Sequence, residues 1–437
     1  MIFADESFRA DANHPSLGQS SPGGAVAFPL TRDRWLSRGA LTIADQGLFT
    51  LTNFGLNLLL ARWLLPDEYG AFAIAFALFF LIGALHLAVL TEPVLIFGGG
   101  MSDERLPAYL NAVLYWHWRF ASTAGLVLAV VGLLCWLKGP ATLAAAILVL
   151  TVAGPCLLFL WLLRNMCYVR GETLALAVWA GGIYLTVMIS SIAGLFWYGR
   201  LSAVTGIGIM GIASGATGLW LSARLGVRWR GTTARHMRRW TLARHWQYGR
   251  WSAATYAFVW IPENLSYLLL SWWGGLGASA AFRGLMNFLM PFMRMQAALV
   301  PLLLTTLVRS WTPIHARYVR RLLAVLSIAA MVYWMMLGML HQSLLAWVYD
   351  GQYQEYSALL WLLGMVPLSN GVSTVLSAVL RAQRQPEGVF WAHATAALLI
   401  GTVGVGLVAG WGVTGAAWAI GLSGVVTTLM MWKGARQ

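Results

Sequence analysis

Arg283, Asn287, Met290 and Arg294 stand 4, 3 and 4 residues apart, the spacing that stacks side chains on one face of an α-helix. At a rise of about 1.5 Å per residue, the two arginines would share that face about 16 Å apart. Arginine suits a phosphate, because its planar fork donates two parallel hydrogen bonds and stays charged when dehydrated. A second series, Tyr256, Trp260, Glu263 and Tyr267, repeats the spacing with aromatic rings around a carboxylate. Such rings fit the apolar C–H patches of a sugar, and a carboxylate fits its hydroxyls. The third series, Gln46, Thr50, Asn53 and Asn57, has Asp45 beside it. An anionic, sugar-bearing ligand is therefore expected, held by Arg283, Arg294, Asn287, Tyr256, Trp260, Glu263, Tyr267, Gln46, Asn53 and Asn57. Asp45, Glu92 and Glu263 are candidates to take H+ or Na+ as a coupling ion. A competing reading stays open: Glu263 and Arg283 neutralise each other as a structural pair, and Asp45, Glu92 and Arg119 do likewise near their helix ends. His86, alone in mid-helix, is expected to bond a carbonyl, although it can titrate near neutral pH.

The elements that must position these residues are apolar. The chain has 437 residues, 59% of them hydrophobic and 10% charged, with 24 Trp, a composition that excludes a soluble globule. Twelve apolar stretches run over 39–62, 71–97, 111–136, 141–163, 174–198, 202–223, 251–273, 278–307, 322–348, 357–380, 388–409 and 413–432. Most have the roughly 20 residues a bilayer core demands. Arginine and lysine fall in every second gap and in both tails, with Arg164 and Arg170 assigned to the loop after the fourth stretch. The intervening gaps hold or adjoin only Arg62, Lys138 and Arg200, whereas Arg119, Arg283 and Arg294 fall inside stretches. Cytoplasmic loops retain cations, so twelve crossings with both termini in the cytoplasm are expected. The net charge of +14 then faces an anionic leaflet, and nucleic-acid binding is excluded for want of a soluble domain. Cys135, Cys156 and Cys167 have no metal or redox spacing; they read as apolar packing, without disulfides, and no cofactor is expected.

Residues 1–38 read as a mobile cytosolic tail, since the Ser-, Gly- and Pro-rich start lacks a signal-peptide core. An N-lobe of six helices follows over 39–223, then a basic cytoplasmic linker over 224–250, and a C-lobe of six helices over 251–437. The linker mixes Arg with Trp229, Trp240 and Trp246; it reads either as a solvated connector or as an interfacial helix on anionic lipid. Asn57–Trp63 resembles Tyr267–Trp273, Gly70 matches Gly277, and Pro93 matches Pro301, at offsets of 207–210 residues. Because helices 1 and 7 would run in the same direction, this implies a parallel pseudo-twofold repeat, with substrate bound between the halves near the midplane. Gly206, Gly208, Gly211 and Gly215, and later Gly401, Gly404, Gly406 and Gly410, are expected to let helices approach closely.

Asp45-Gln-Gly, Asn53-Phe and Leu60-Ala-Arg-Trp-Leu-Leu-Pro-Asp-Glu-Tyr-Gly70 together resemble the opening of the polysaccharide transporter branch of the multidrug/oligosaccharidyl-lipid/polysaccharide exporter superfamily. That branch includes the O-antigen and exopolysaccharide flippases. Thr91-Glu-Pro93, Gly277-Ala-Ser-Ala-Ala-Phe-Arg-Gly284 with Pro291, Tyr349-Asp-Gly-Gln-Tyr353, Leu380-Arg-Ala-Gln-Arg384 and Gly412-Val-Thr-Gly-Ala-Ala417 are similar to it as well. The resemblance implies an all-α polytopic membrane protein, V-shaped with two lobes, working by alternating access. The implied cargo is an oligosaccharide on a polyprenyl (di)phosphate, moved across the bacterial cytoplasmic (inner) membrane, alongside a polysaccharide polymerase and export machinery.

Two other classes compete. A cation-coupled small-molecule antiporter of the same superfamily fits the same elements. The major facilitator fold does not, because Gly98–Pro107 lacks the basic Asp-Arg-x-Gly-Arg motif usual between its helices 2 and 3. A membrane glycosyltransferase or polymerase would need paired acids in a long loop, metal-ligand clusters or a nucleotide-binding domain; the chain is expected to be no enzyme.

Overall fold

Runs of apolar, helix-tolerant residues with no water to satisfy their backbones must bond internally, and the chain does so as helices throughout. The computed structural model describes residues 32–169, 173–227, 235–297, 313–383 and 385–435. Outside these lie most of the predicted tail, Arg170, Arg228 to Arg230 of the linker, residues 298–312 with Pro301 and Arg309, Arg384 and Arg436. Two compact units are present, Met1–Ala40 and Leu41–Gln437. Of the first, only residues 32–40 are described, as helix.

The first half comprises α1 (Arg32–Trp63), α2 (Pro66–Gly98, with a π-helical turn at Leu87–Thr91), α3 (Leu106–Lys138), α4 (Ala141–Val169), α5 (Leu174–Trp197) and α6 (Ala203–Leu225). The second comprises α7 (Arg235–Ala297), α8 (Pro313–Met339), α9 (His341–Tyr349), α10 (Leu359–Leu363), α11 (Val366–Ala382), α12 (Pro386–Leu399) and α13 (Val405–Gly434), with a second π turn joining α12 to α13. In the first half α4 packs on α2, α3 and α6, and α5 packs on α6; in the second α13 packs on α7, α11 and α12. Contact between the halves runs chiefly along α2 and α7.

Eight helical runs among the described residues are long and apolar enough to cross a membrane, the last of them bent at Gly412 so that it covers two of the twelve stretches. α1 and α7 are absent from that set, and they are the two helices that carry the polar series. The chain is thus an all-α polytopic membrane protein whose two least apolar long helices are the ones with candidate binding residues.

Two expected loops are single-residue corners. Gly275 (φ 78°, ψ 177°) breaks α7 between its two arms, and Gly412 (φ 53°, ψ −127°) breaks α13. Both sit where a side chain would be strained, so glycine is needed there. The corner in α7 brings the matched glycines of the repeat face to face. A Cβ on Gly70 would lie 2.0 Å from the Leu276 carbonyl oxygen, and one on Gly277 would lie 3.6 Å from Asp67 Oδ1.

The glycine expectation holds for the first group and, in the second, for Gly404, where an added Cβ would lie 3.4 Å from that of Ala419. Gly211 packs on Ala153, and Gly215 on Cys156, at the α4–α6 contact. At Gly401, Gly406 and Gly410, by contrast, an added methyl would meet nothing within 4 Å, so these glycines do not bring helices together.

The linker is neither a loop nor a free interfacial helix over its described part. Residues 235–250 continue without a break into the first arm of α7. Thr241, His245 and Gly249, four apart, are its buried stripe. The stripe docks on the π turn of α2, where a Cβ on Gly249 would lie 2.7 Å from the Ala88 carbonyl oxygen. A π turn misses the usual hydrogen-bond register and frees a carbonyl. Val89 O is used here: it receives His245 Nδ1 at 3.1 Å, while Tyr109 Oη lies 2.8 Å from His245 Nε2. A carbonyl only accepts, so Nδ1 carries the proton and Nε2 accepts from the tyrosine.

Burial at 1% exposure pushes the His245 imidazolium down from 6.5 to about 4. The unfolded chain therefore binds more protons between those values, and stability falls as pH drops from about 6.5 to about 4, by up to about 3 kcal/mol. The excess acid sensitivity of the thermal midpoint is expected to disappear in His245→Gln. An identical pH profile for the two proteins would refute it.

Candidate functional site

Arg283 is the centre of the polar arrangement. It is 4% exposed, on a second α7 arm buried without interruption from Ser279 to Leu289. Its Nη2 donates to Asn57 Oδ1 at 3.3 Å, and its guanidinium lies 5.6 Å from the Tyr267 ring centroid and 5.8 Å from that of Phe80. Asn57 is oriented for this by its own helix: Nδ2 donates to the Asn53 carbonyl, which leaves Oδ1 for a group that can only donate. Asn57 and Tyr267 are matched positions of the repeat, and they converge on the same arginine. Nε of Arg283 has no hydrogen-bond partner.

The expected neutralisation of Arg283 by Glu263 does not occur. Among the described residues one ion pair is found, between Arg164 and Asp45, so Arg283 touches no carboxylate. Glu263 feels Arg294 instead. A cation at this depth costs about 2.5–3.5 kcal/mol on the insertion scale, partly offset by the two rings.

Exposure changes abruptly along both helices that meet here. On α1, Thr52, Leu56, Asn57, Leu60 and Ala61 are buried, whereas Ile43, Ala44, Gln46, Gly47, Thr50 and Leu51 are exposed. On α7, the run from Ser279 to Leu289 is enclosed, whereas Pro291, Arg294, Met295 and Ala297 are exposed. Both transitions fall on the same side of the Arg283–Asn57 contact, toward the cation-rich ends of the helices. Glu263 is likewise exposed. Protein side chains occupy the stretch of the α7 face between Arg283 and Arg294, and also the cation-poor end of α1. Asn287 Nδ2 donates to Tyr69 Oη (2.9 Å) and Tyr349 Oη (3.2 Å), and Tyr349 Oη donates to the Gly284 carbonyl. Arg62 Nη1 donates to the Trp347 carbonyl at 3.0 Å, and Gln352 Nε2 donates to the Arg62 carbonyl at 3.2 Å, so the last turn of α1 is tied to the second half.

The remaining expected site residues divide. Arg294, Glu263 and Gln46 are accessible, Gln46 bonding Tyr168 Oη. Asn53 donates to its own helix at Phe49. Tyr256 is not free to stack on a ligand, because its hydroxyl is bound to Glu92 Oε1; Glu92 also accepts from Ser252. Trp260 Nε1 donates to the Ala77 carbonyl at 2.8 Å, so both aromatics bind α7 to α2. Asp45 is 0% exposed, pairs with Arg164 at 2.8 Å and accepts from Tyr168 at 2.6 Å. Arg164 is therefore a buried residue inside α4, not a loop cation.

Phe80 carries no signal in the sequence, whereas Tyr69 and Tyr349 stand in the quoted motifs with no role assigned to them. His86 is not alone either, because its Nε2 lies 2.9 Å from His117 Nδ1 and its Nδ1 lies 3.2 Å from Thr91 Oγ1. A second histidine inside a neighbouring apolar stretch is the one hint of that pairing that the sequence offers.

No family model matches the sequence, and no curated protein matches it. Solved structures do share its fold. A multidrug resistance MATE family transporter of the MOP superfamily, in an inward-facing conformation, superposes with a TM-score of 0.70 at 15% identity, covering 90% of this chain and 97% of that one. The lipid II flippase MurJ, in an inward closed conformation, gives 0.70 at 13% identity over 91% and 87%. An outward-facing MATE family transporter gives 0.63 at 13% identity over 92% and 94%. The chain therefore has the fold of these MOP superfamily transporters, over nearly its whole length.

Proposed function

We propose that this protein is a transporter that moves an anionic lipid-linked oligosaccharide across the bacterial cytoplasmic membrane by alternating access. The cation-rich ends of the helices are assigned to the cytoplasm by the positive-inside rule. Exposed Arg294, Glu263 and Gln46 then stand on the inner side, and the contacts of Arg62 with Trp347 and Gln352 tie the two halves on the outer side. One observation carries the reading: Arg283 is buried with an unpartnered Nε and no carboxylate in contact. Arg294 stands about three turns nearer the cytoplasm on the same face. Two guanidinium groups in line suit a phosphate or diphosphate headgroup, while the prenyl chain stays in lipid. With Asp45 and Glu92 engaged, Glu263 is the carboxylate left for a coupling cation. Delivery to a polysaccharide polymerase and export machinery follows from such a cargo.

In cells that depend on this protein for surface polysaccharide, Arg283→Ala with Arg294→Ala is expected to cut export about 30-fold or more at unchanged protein level, from the loss of two charge-assisted contacts. Normal export from the double variant would remove the site. Glu263 also gives the second reading, a cation-coupled small-molecule antiporter, a specific footing. Drug resistance conferred by the wild type and lost in Glu263→Gln, with polysaccharide unaffected, would favour that reading.

A further inference from the structure

A hollow lies at the cation-rich end of the first half. It is lined by the π turn of α2 (Val89, Leu90), by α3 (Trp116, Arg119, Phe120, Thr123) and by the linker arm of α7, and encloses about 310 Å³. A smaller hollow shares Arg119 with it.

Three features of this place ask for a ligand. First, the walls are mainly apolar, with Arg119, Thr123, Thr241 and His245 as the polar members. Second, Thr241 is 0% exposed and its hydroxyl has no hydrogen-bond partner, an unusual state for a buried donor. Third, two cations converge without an acid: the guanidinium carbons of Arg119 and Arg238 lie 5.6 and 4.2 Å from the centroid of the same ring, Tyr115, and neither arginine has an ion-pair partner among the described residues. Arg238 Nε is buried and unpartnered. Both cations are held on Tyr115, whose hydroxyl accepts from Arg119 Nε at 3.2 Å, and an anion beside them would offset their repulsion.

The depth identifies the kind of anion. From Phe120 to Leu137, α3 has 18 residues without a charge, about 27 Å of helix, which fills a hydrocarbon core. Arg119 thus sits at its boundary, at headgroup level, rather than within the membrane interior as the hydropathy of 111–136 implies. Arg235, Arg239, Arg244 and Arg250 on the linker arm are exposed as well. Below Arg119, Phe120 and Thr123 continue the hollow toward the core.

We propose that this hollow binds one anionic glycerophospholipid of the surrounding membrane. Its phosphate lies on Arg119, near Arg238 on the same Tyr115 ring, one acyl chain runs along Phe120, Val89 and Trp246, and the Thr241 hydroxyl donates to an ester or phosphate oxygen. The lipid fastens the linker arm to α2 and α3 and takes no part in transport.

Native mass spectrometry of the full chain in detergent, titrated with dioleoyl phosphatidylglycerol or dioleoyl phosphatidylcholine, tests this directly. The wild type is expected to prefer the anionic lipid roughly 30-fold, as two guanidinium groups at a headgroup allow. Arg119→Gln with Arg238→Gln should bring the preference to within about twofold. Thr123→Trp, an exposed position that tolerates bulk, should block the chain path and weaken both lipids about tenfold. Retained preference in the double glutamine variant, or unchanged binding to Thr123→Trp, would overturn the proposal. Displacement of the lipid by millimolar inorganic phosphate would also overturn it, by showing a site for a soluble anion.

Discussion

Asp45→Ala is expected to destabilise the protein by about 3–5 kcal/mol, the loss typical when one member of a buried ion pair is removed. The carboxylate is enclosed: Oδ1 accepts from Arg164 Nε at 2.9 Å and Nη2 at 2.8 Å, Oδ2 accepts from Tyr168, and the guanidinium lies 3.9 Å from the Phe49 ring centroid. Without Asp45, the charge of Arg164 remains at 5% exposure with only a ring and the residue-45 backbone carbonyl to face it. Arg164→Ala should cost a similar amount, and the double variant clearly less than the sum, because each single change strands the other charge. Equilibrium unfolding in detergent measures all three. Single and double effects that simply add would show that the pair does not act as a unit. The same series separates support from coupling: an ion-carrying Asp45 would lose transport in Asp45→Asn with stability intact, whereas a structural one loses stability first.

Gly70→Ala is expected to separate the two halves at their cation-poor ends. The new methyl would overlap the Leu276 carbonyl at the tightest point of the α2–α7 contact, where the obstacle is backbone and cannot rotate away. Overpacking of this kind costs about 1–3 kcal/mol, which moves a two-state ratio roughly 5- to 160-fold. Spin labels on Arg200→Cys and Glu355→Cys, both exposed at the cation-poor ends of different halves, report the change in a background without the native cysteines. A longer distance population should appear or grow in the alanine variant. An unchanged distribution, with wild-type stability, would mean that the glycine contact is not part of the closure.

Hydropathy and charge alternation made the helices legible, since burial in lipid imposes a composition on every span. Spacing also found the face of α7 that carries Arg283 and the face of α1 that carries Asn57. It did not reveal what each side chain would meet. Tyr256 and Trp260 share a helical face with Tyr267, yet they donate to α2 while Tyr267 packs on the arginine. Partners lying 164 and 183 residues away are set by how helices pack, which no local pattern encodes. Arg164 was misplaced because hydropathy ends a span at the first charge, although a helix can continue past it when a carboxylate waits on its neighbour. The linker was misjudged for a related reason: its buried stripe of Thr241, His245 and Gly249 is too small and polar to stand out among the surrounding arginines and tryptophans.

The π turn at Leu87–Thr91 has an angular effect on everything beyond it. One residue accommodated in a helix of 3.6 per turn rotates the remainder by about 100° about its axis. Glu92 follows immediately, so its carboxylate reaches Ser252 and Tyr256 only because of that rotation. A chain one residue shorter at this point would keep its length, charge and apolar content nearly intact, yet aim the glutamate a quarter-turn away from α7 and leave both hydroxyls facing bare hydrocarbon.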